Sequence, residues 1–262
     1  MFLTIASVLA TVLYCLSAFL IFRQFGDQSQ KRWKPLAPVL LAILVHAVVL
    51  NQTIYGPAGL NLGFFVAFSL ICWLISIQIL LSSIFYRVES LGIAVFPVSG
   101  LASLISTMGY SEHLITTGNA SIQGHIMVSV IAYSLIMLSA CHATLLAYQD
   151  HLIRSHSPGG FIRFLPPLHE MEILLFQLLS FGFIALSASL ITGFVFLEDI
   201  FAQHLVHKTV LSIVGWIILG ILLFGRFRFG WRGKTAIRWT LSSFGFLMLA
   251  FFGSKLVLEF IL

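Results

Sequence analysis

The histidines are the side chains of this sequence that could do chemistry, because several of the nine lie within or beside long apolar runs. An ionisable group inside a membrane-spanning segment is costly, and it is a functional candidate for that reason. His46 lies near the middle of one run, and His125 opens another. His204 and His207 lead into a third run, three residues apart, so a helix would place them on one face. These four residues are the candidate ligands.

A neutral imidazole is a ligand for haem iron, and it also binds zinc and copper. His125 and one residue of the His204/His207 pair come from different helices and could bind a haem iron together. No carboxylate, thiolate or third histidine obviously converges on them, and this pattern favours haem over a closed zinc site. For each histidine a polar contact with headgroups, water or another helix is the alternative. For His46 a hydrogen bond between helices is favoured, with a role as an internal haem ligand as the second interpretation.

Three charged residues flank the same region. Glu198 and Asp199 follow one apolar run, and Lys208 begins the next. An ion pair that joins the ends of these two runs is the simpler interpretation. The functional alternative is that Lys208 attracts an anionic group such as a haem propionate.

These residues lie in a chain with the composition of a membrane protein. Of its 262 residues, 59% are hydrophobic and only 9% are charged, whereas roughly a quarter of a soluble domain is charged. A membrane-spanning helix needs about 20 mainly apolar residues. Runs of this kind predict an all-α fold, a polytopic membrane helix bundle of about eight transmembrane helices in a single integral membrane domain over residues 1–262. The predicted spans lie near residues 2–22, 36–53, 62–86, 91–107, 124–148, 173–196, 208–225 and 237–258.

Basic residues predict the orientation of the chain. Of the 14 lysines and arginines, 12 lie in alternate loops, which the positive-inside rule assigns to the cytoplasm. Both termini are then external. The net charge of +5 reflects this orientation, so nucleic acid is not an expected partner. The basic segment 226–234, with Arg238 beyond it, is expected to orient the last two spans and to contact anionic lipid headgroups.

Motifs of hydrolytic enzymes are missing from the sequence. It contains no G-x-S-x-G, no phosphate-binding loop and no H-E-x-x-H. The three cysteines lie on different predicted spans and form no C-x-x-C pair. We therefore expect a protein that is not an enzyme.

Two stretches carry a family resemblance. They are GHIMVSVIAYSLIMLSACHATLLAYQD, from Gly124 to Asp150, and GFVFLEDIFAQHLVHKTVLSIVGWIILGILLFGRFRFGWRGKTAIRW, from Gly193 to Trp239. Both resemble the second half of the cytochrome c assembly membrane proteins, the superfamily of the CcsA-like, CcmC-like and HemX-like proteins, and the resemblance is strongest over 124–262. It implies a multi-pass protein of the bacterial inner (cytoplasmic) membrane, with a periplasmic external side.

The resemblance also implies a function and a site. The expected function is haem binding or haem handling, with His125 in the place of an external haem-ligating histidine. The expected cofactor is a non-covalent, b-type haem, and no other metal is expected. Membrane lipids, haem and another membrane protein of cytochrome biogenesis are the partners that such a function would involve.

The chain departs from the family in its tryptophans. None of its five tryptophans lies in a predicted external segment, and the segment that reads W-D-P-K-E in the family reads LVHKT here, which keeps only Lys208. A membrane scaffold or accessory subunit without haem is therefore an alternative. A small-solute or ion transporter is a second one, suggested by His46 and by Pro97, which predicts a kink in the fourth span.

Overall fold

A computed structural model of the protein describes residues 2–24, 34–56, 59–61, 63–86, 88–108, 120–155, 167–196 and 203–253. Within these ranges the chain is helical apart from one short two-stranded ribbon. Among the described residues, seven helices are long and apolar enough to cross a membrane. The predicted all-α class and the multi-pass architecture are therefore confirmed, while the orientation of the termini stays a prediction.

The first compact unit consists of residues 1–117 and 164–166. Its helices are α1 (Phe2–Gln24), α2 (Ala37–Ile54), α3 (Phe64–Phe85) and α4 (Gly92–Ser106). Helices α1 and α3 each pack against both α2 and α4, so the four form a closed bundle. Short 3₁₀ turns, Lys34–Leu36 and Glu89–Leu91, lead into α2 and α4, and strands β1 (Tyr55–Gly56) and β2 (Gly59–Leu60) form an antiparallel ribbon between α2 and α3.

The packing of α1 against α4 depends on a glycine. A Cβ atom at Gly100 would lie 2.9 Å from the Cα atom of Thr11, and the Thr11 hydroxyl donates to the Gly100 carbonyl at 2.9 Å. Small residues of this kind let helix backbones approach closely in membrane bundles. Pro97, where the sequence predicts a kink, lies inside α4, which runs without a break from Gly92 to Ser106.

The second compact unit consists of residues 118–163 and 167–262. Its helices are α5 (Ala120–Arg154), α6 (Leu168–Phe196), α7 (Gln203–Phe229) and α8 (Gly233–Met248), with a π-helical turn over Leu249–Gly253. Helices α5 and α7 each pack against both α6 and α8. Helix α8 has 16 residues, fewer than the roughly 20 that a span needs, and it is not among the seven. The predicted eighth span, 237–258, extends past the described residues.

A carboxylate of α6 holds the start of α8 in place. Gly233 opens α8 with a φ of 53°, a left-handed conformation that favours glycine. Its N–H donates to Glu172 Oε1 at 2.7 Å, and Arg232 Nε lies 3.5 Å from Glu172 Oε2. A negative charge at the N-terminus of a helix is stabilised by the helix dipole. The first turn of α8 is thereby tied to α6.

Candidate functional site

A half-open cavity of about 90 Å³ lies between α5, α6 and α7 in the second unit. Its lining includes His125 and Ser129 of α5, Ser189 and Gly193 of α6, and Lys208 and Ser212 of α7. His125 and Lys208, two of the candidate residues from the sequence, thus line one cavity although 83 positions separate them.

The hydrogen bond of His125 bears on which ring nitrogen carries the proton. His125 Nδ1 lies 3.0 Å from the hydroxyl oxygen of Thr192, and that hydroxyl lies 2.8 Å from the Ala188 carbonyl and 3.0 Å from the Ser189 carbonyl. A carbonyl can only accept, so a Thr192 hydroxyl that donates to either of them presents its oxygen to Nδ1 as an acceptor, and we assign the proton to Nδ1 on this basis. A neutral imidazole protonated at Nδ1 has its lone pair on Nε2, which makes no side-chain hydrogen bond within the described residues. Metal-ligating histidines are commonly held in this way through their other nitrogen.

Gly193 makes room for the His125 ring. A Cβ atom at this position would lie 3.1 Å from His125 Cε1, closer than an ordinary van der Waals contact. The imidazole therefore packs directly over the backbone of α6, one residue after its acceptor Thr192. A side chain at 193 would require the ring to shift by a few tenths of an ångström.

Polar side chains join the three helices around the cavity. Ser129 and Ser189 hydroxyls are 2.7 Å apart and link α5 to α6, and the Tyr133 hydroxyl lies 3.2 Å from that of Ser212 and links α5 to α7. Outside the lining, Trp216 Nε1 donates to the Ser187 hydroxyl at 2.8 Å and links α7 to α6. Each hydrogen bond between membrane helices contributes about 0.6–2 kcal/mol. The walls of the cavity are thus held by side-chain contacts as well as by packing.

Lys208 brings a cation to this cavity. Its ammonium lies 5.4 Å from the centre of the Phe251 ring, within the range of a cation–π contact. In the part of the chain that the structure describes, Lys208 has no carboxylate partner. Glu198 and Asp199, its predicted partners, lie outside the described residues, so that ion pair stays a prediction.

Of the two histidines at the start of α7, the structure describes the side chain of His207 but not that of His204. The His207 side chain is exposed and does not line the cavity. Position 204 lies in the first turn of α7, and the side chain of His204 is not among those described. Positions 204, 208 and 212 follow one another at four-residue spacing, which puts them on one side of a helix. Lys208 and Ser212 line the cavity from that side.

His46 belongs to the first unit and has both ring nitrogens occupied. Nδ1 lies 3.3 Å from the Tyr14 hydroxyl, and Nε2 lies 2.9 Å from the Ser69 hydroxyl. The residue has no exposed surface. His46 thus joins α1, α2 and α3, as the favoured interpretation of the sequence expects. A haem iron would have to displace one of these partners to bind it.

Replacing His46 by leucine should lower the stability of the protein. We expect the free energy of unfolding to fall by about 1–3 kcal/mol, because two hydrogen bonds are lost and their partners stay buried. Tyr14→Phe should cost about 1 kcal/mol, since only one of these bonds is removed. A denaturant titration followed by circular dichroism measures both.

The matched control is Tyr55→Phe, because the side chain of Tyr55 is 65% exposed. That variant should unfold like the wild type. If His46→Leu were also as stable as the wild type, the hydrogen bonds of His46 would not hold the first unit together.

The donor set around His125 fits a haem iron better than a bare metal ion. Among the described residues no three His, Cys, Asp or Glu side chains converge as a metal ion would require. One imidazole nitrogen beside a cation suits a group that carries both an iron and propionates. The cavity volume of about 90 Å³ is below the roughly 300–1,000 Å³ of ligand pockets. The described residues would therefore supply one imidazole for an iron and one cation for a propionate, but they do not enclose a whole porphyrin.

Sequence reasoning missed Thr192 and Gly193, which orient the His125 ring. Both lie in the apolar run of α6, 67 and 68 residues after His125. The hydroxyl residues Ser187, Ser189 and Thr192 within that run could have indicated a contact between helices. Hydroxyls inside a membrane helix often hydrogen-bond to another helix. The pattern does not show which residue each hydroxyl meets.

Comparison of the sequence with known proteins identifies a family and individual proteins that are similar to this chain. The family described as Cytochrome C assembly protein matches residues 33–262. The Escherichia coli (strain K12) protein named Inner membrane protein YpjD is 28% identical, over 97% of this chain and 98% of that protein. An Azospirillum brasilense protein described as an uncharacterized 28.8 kDa protein in nifR3-like 5'region is 36% identical over 140 residues, which are 53% of this chain and 52% of that protein. No solved structure gives a significant match. Because the family match covers most of its length, the chain belongs to the cytochrome c assembly protein family.

Proposed function

We propose that this chain is a multi-pass inner-membrane protein that binds haem non-covalently, with His125 as an iron ligand. The observation that carries the proposal is the hydrogen bond from His125 Nδ1 to Thr192 at 3.0 Å, which leaves the lone pair of Nε2 for a metal. Family membership over residues 33–262 supports a haem-related membrane function. The inner-membrane location follows from the name of the Escherichia coli relative and from seven helices of membrane-spanning length.

Lys208 is the residue proposed to attract a haem propionate. It lines the same cavity as His125 and meets no carboxylate among the described residues. A cation that is partly buried without a counter-charge favours binding of an anion, because the anion supplies the missing charge in a region of low dielectric.

His204 is the proposed second ligand, ahead of His207. Position 204 precedes Lys208 by one helical turn on the same side of α7. The His207 side chain is exposed and lies outside the cavity lining.

The chain's own residues would bind and orient the group and would form no covalent bond to it. Bound haem would supply an iron that accepts and releases one electron. His125, held by Thr192, would set the direction of the iron–nitrogen bond, and Lys208 would draw the propionate side toward α7. The apolar residues Leu186 and Leu190, which line the cavity, would limit the access of water to the iron.

The test is an absorption spectrum of the detergent-purified protein, titrated with haem and then reduced. We expect a sharpened Soret band and, after reduction, the narrow α and β bands of a haem with two histidine ligands. His204→Ala should alter the reduced spectrum, and His207→Ala should leave it unchanged. A wild type that leaves the spectrum of added haem unchanged would contradict haem binding and favour the scaffold or accessory-subunit hypothesis.

A further inference from the structure

A second cavity of the second compact unit lies where the end of α5 meets the start of α8. Its volume is about 180 Å³, and its charged or titratable lining residues are Asp150, His151, Arg154, Lys234 and Arg238. The site is at the opposite end of α5 from His125. Arg154 follows His125 by 29 residues, which is about 43 Å along a helix.

Helical spacing brings these residues to one cleft. Asp150 and Arg154 are four residues apart on α5, and Lys234 and Arg238 are four residues apart on α8. Residues at this spacing lie on one side of a helix, and α5 packs against α8. Two helix faces with basic side chains therefore line one cavity.

The cavity has an excess of positive charge. Three cations (Arg154, Lys234, Arg238) and one carboxylate (Asp150) line it, which leaves a formal charge of about +2 when histidine is counted as neutral, as in the net charge of the chain. Arg154 Nε lies 3.0 Å from both carboxylate oxygens of Asp150, so the carboxylate is neutralised within the cluster. Lys234 and Arg238 form no ion pair within the described residues.

The position of the basic residues is partly set before any ligand binds. Glu172 accepts the Gly233 N–H at 2.7 Å and so fixes the turn of α8 that carries Lys234. The volume of about 180 Å³ exceeds the roughly 30 Å³ that one water occupies in the liquid, yet it is below the size of pockets for larger ligands. A tetrahedral anion with one or two charges suits both the size and the charge.

We infer that this cavity binds a phosphate group, which is either the headgroup of an anionic phospholipid or a free phosphate. Arginine and lysine are the residues that recognise phosphate oxygens, through charge-assisted hydrogen bonds. The neighbouring apolar side chains Tyr148 and Ile153 are 49% and 45% exposed, as expected of a helix surface in contact with lipid. The site is independent of haem and uses none of the residues around His125.

The test compares Lys234→Gln/Arg238→Gln with the control Lys34→Gln/Arg23→Gln in the full chain. Both double variants replace one lysine and one arginine, but neither Lys34 nor Arg23 lines the cavity or belongs to the basic segment 226–234. Native mass spectrometry measures retention of phosphatidylglycerol, and titration calorimetry measures binding of inorganic phosphate. Loss of two surface cations should weaken binding roughly thirtyfold in the first variant and should leave the control like the wild type.

The two probes distinguish the sources of the phosphate. Selective loss of phosphatidylglycerol identifies a lipid headgroup, and selective loss of inorganic phosphate identifies a soluble ligand. If the two double variants bound both probes equally, or if the wild type bound neither, the inference would be wrong. Thermal unfolding of each variant shows whether the exposed substitutions leave the fold intact.

Discussion

Replacing His125 by alanine should abolish the Soret band that the wild-type protein acquires with haem. The His125 imidazole is the proposed iron ligand, and its Nδ1 lies 3.0 Å from the Thr192 hydroxyl that orients it. Removing a residue that hydrogen-bonds to a metal ligand lowers the affinity for the metal about 10–100-fold. Removing the ligand itself should therefore lower the affinity for haem by at least about a hundredfold. Difference spectroscopy over a haem titration gives the dissociation constant.

His207→Ala is the matched control for this prediction. It removes the same side chain from the same unit, but the imidazole of His207 is exposed and does not line the cavity. Its affinity for haem should equal that of the wild type. Added imidazole should restore the Soret band of His125→Ala, because free imidazole can occupy the space that the side chain leaves. If His125→Ala bound haem as tightly as His207→Ala, His125 would not be a ligand.

Thr192→Val should weaken haem binding by about 10–100-fold while His125 itself is unchanged. Valine has nearly the shape of threonine but cannot accept the Nδ1 proton of His125. The imidazole then loses the contact that selects its tautomer and holds its plane. The expected change corresponds to about 1.4–2.7 kcal/mol of binding free energy, and the same haem titration measures it.

Thr144→Val tests whether the effect is specific to the site. Thr144 lies on α5 and donates its hydroxyl to the carbonyl four residues earlier, at 2.9 Å, as Thr192 does on α6. It does not line the cavity. Thr144→Val should bind haem like the wild type, and Thr192→Ser should recover most of the affinity because it keeps the hydroxyl. Equal affinities of the two valine variants would show that the contact of Thr192 with His125 does not orient a ligand.

The sequence by itself determined the elements and their membrane character. Runs of about 20 apolar residues predict spanning helices because the bilayer core is about 30 Å thick. This length requirement applies to each run separately, so each span can be predicted from its own residues. Seven of the runs lie in helices of spanning length. The eighth predicted span, 237–258, remains untested, since the described residues cover it only as far as residue 253.

Only the tertiary structure decided which side chains meet. His207 and Lys208 are neighbours in sequence, yet Lys208 lines the cavity and His207 does not, because successive residues of a helix point about 100° apart. Which residue faces a partner helix depends on the rotation of the whole helix about its axis in the bundle. The sequence does not reveal this rotation when the helix is apolar on all sides, because such a run has little hydrophobic periodicity.

The same physical reason explains the contacts of His46 and His125. His46 meets Tyr14 and Ser69, which lie 32 and 23 residues away, and His125 meets Thr192, 67 residues away. Local spacing identifies such histidines as unusual because a polar group in a membrane is costly. It does not identify their partners, since these are set by how helices distant in sequence pack together.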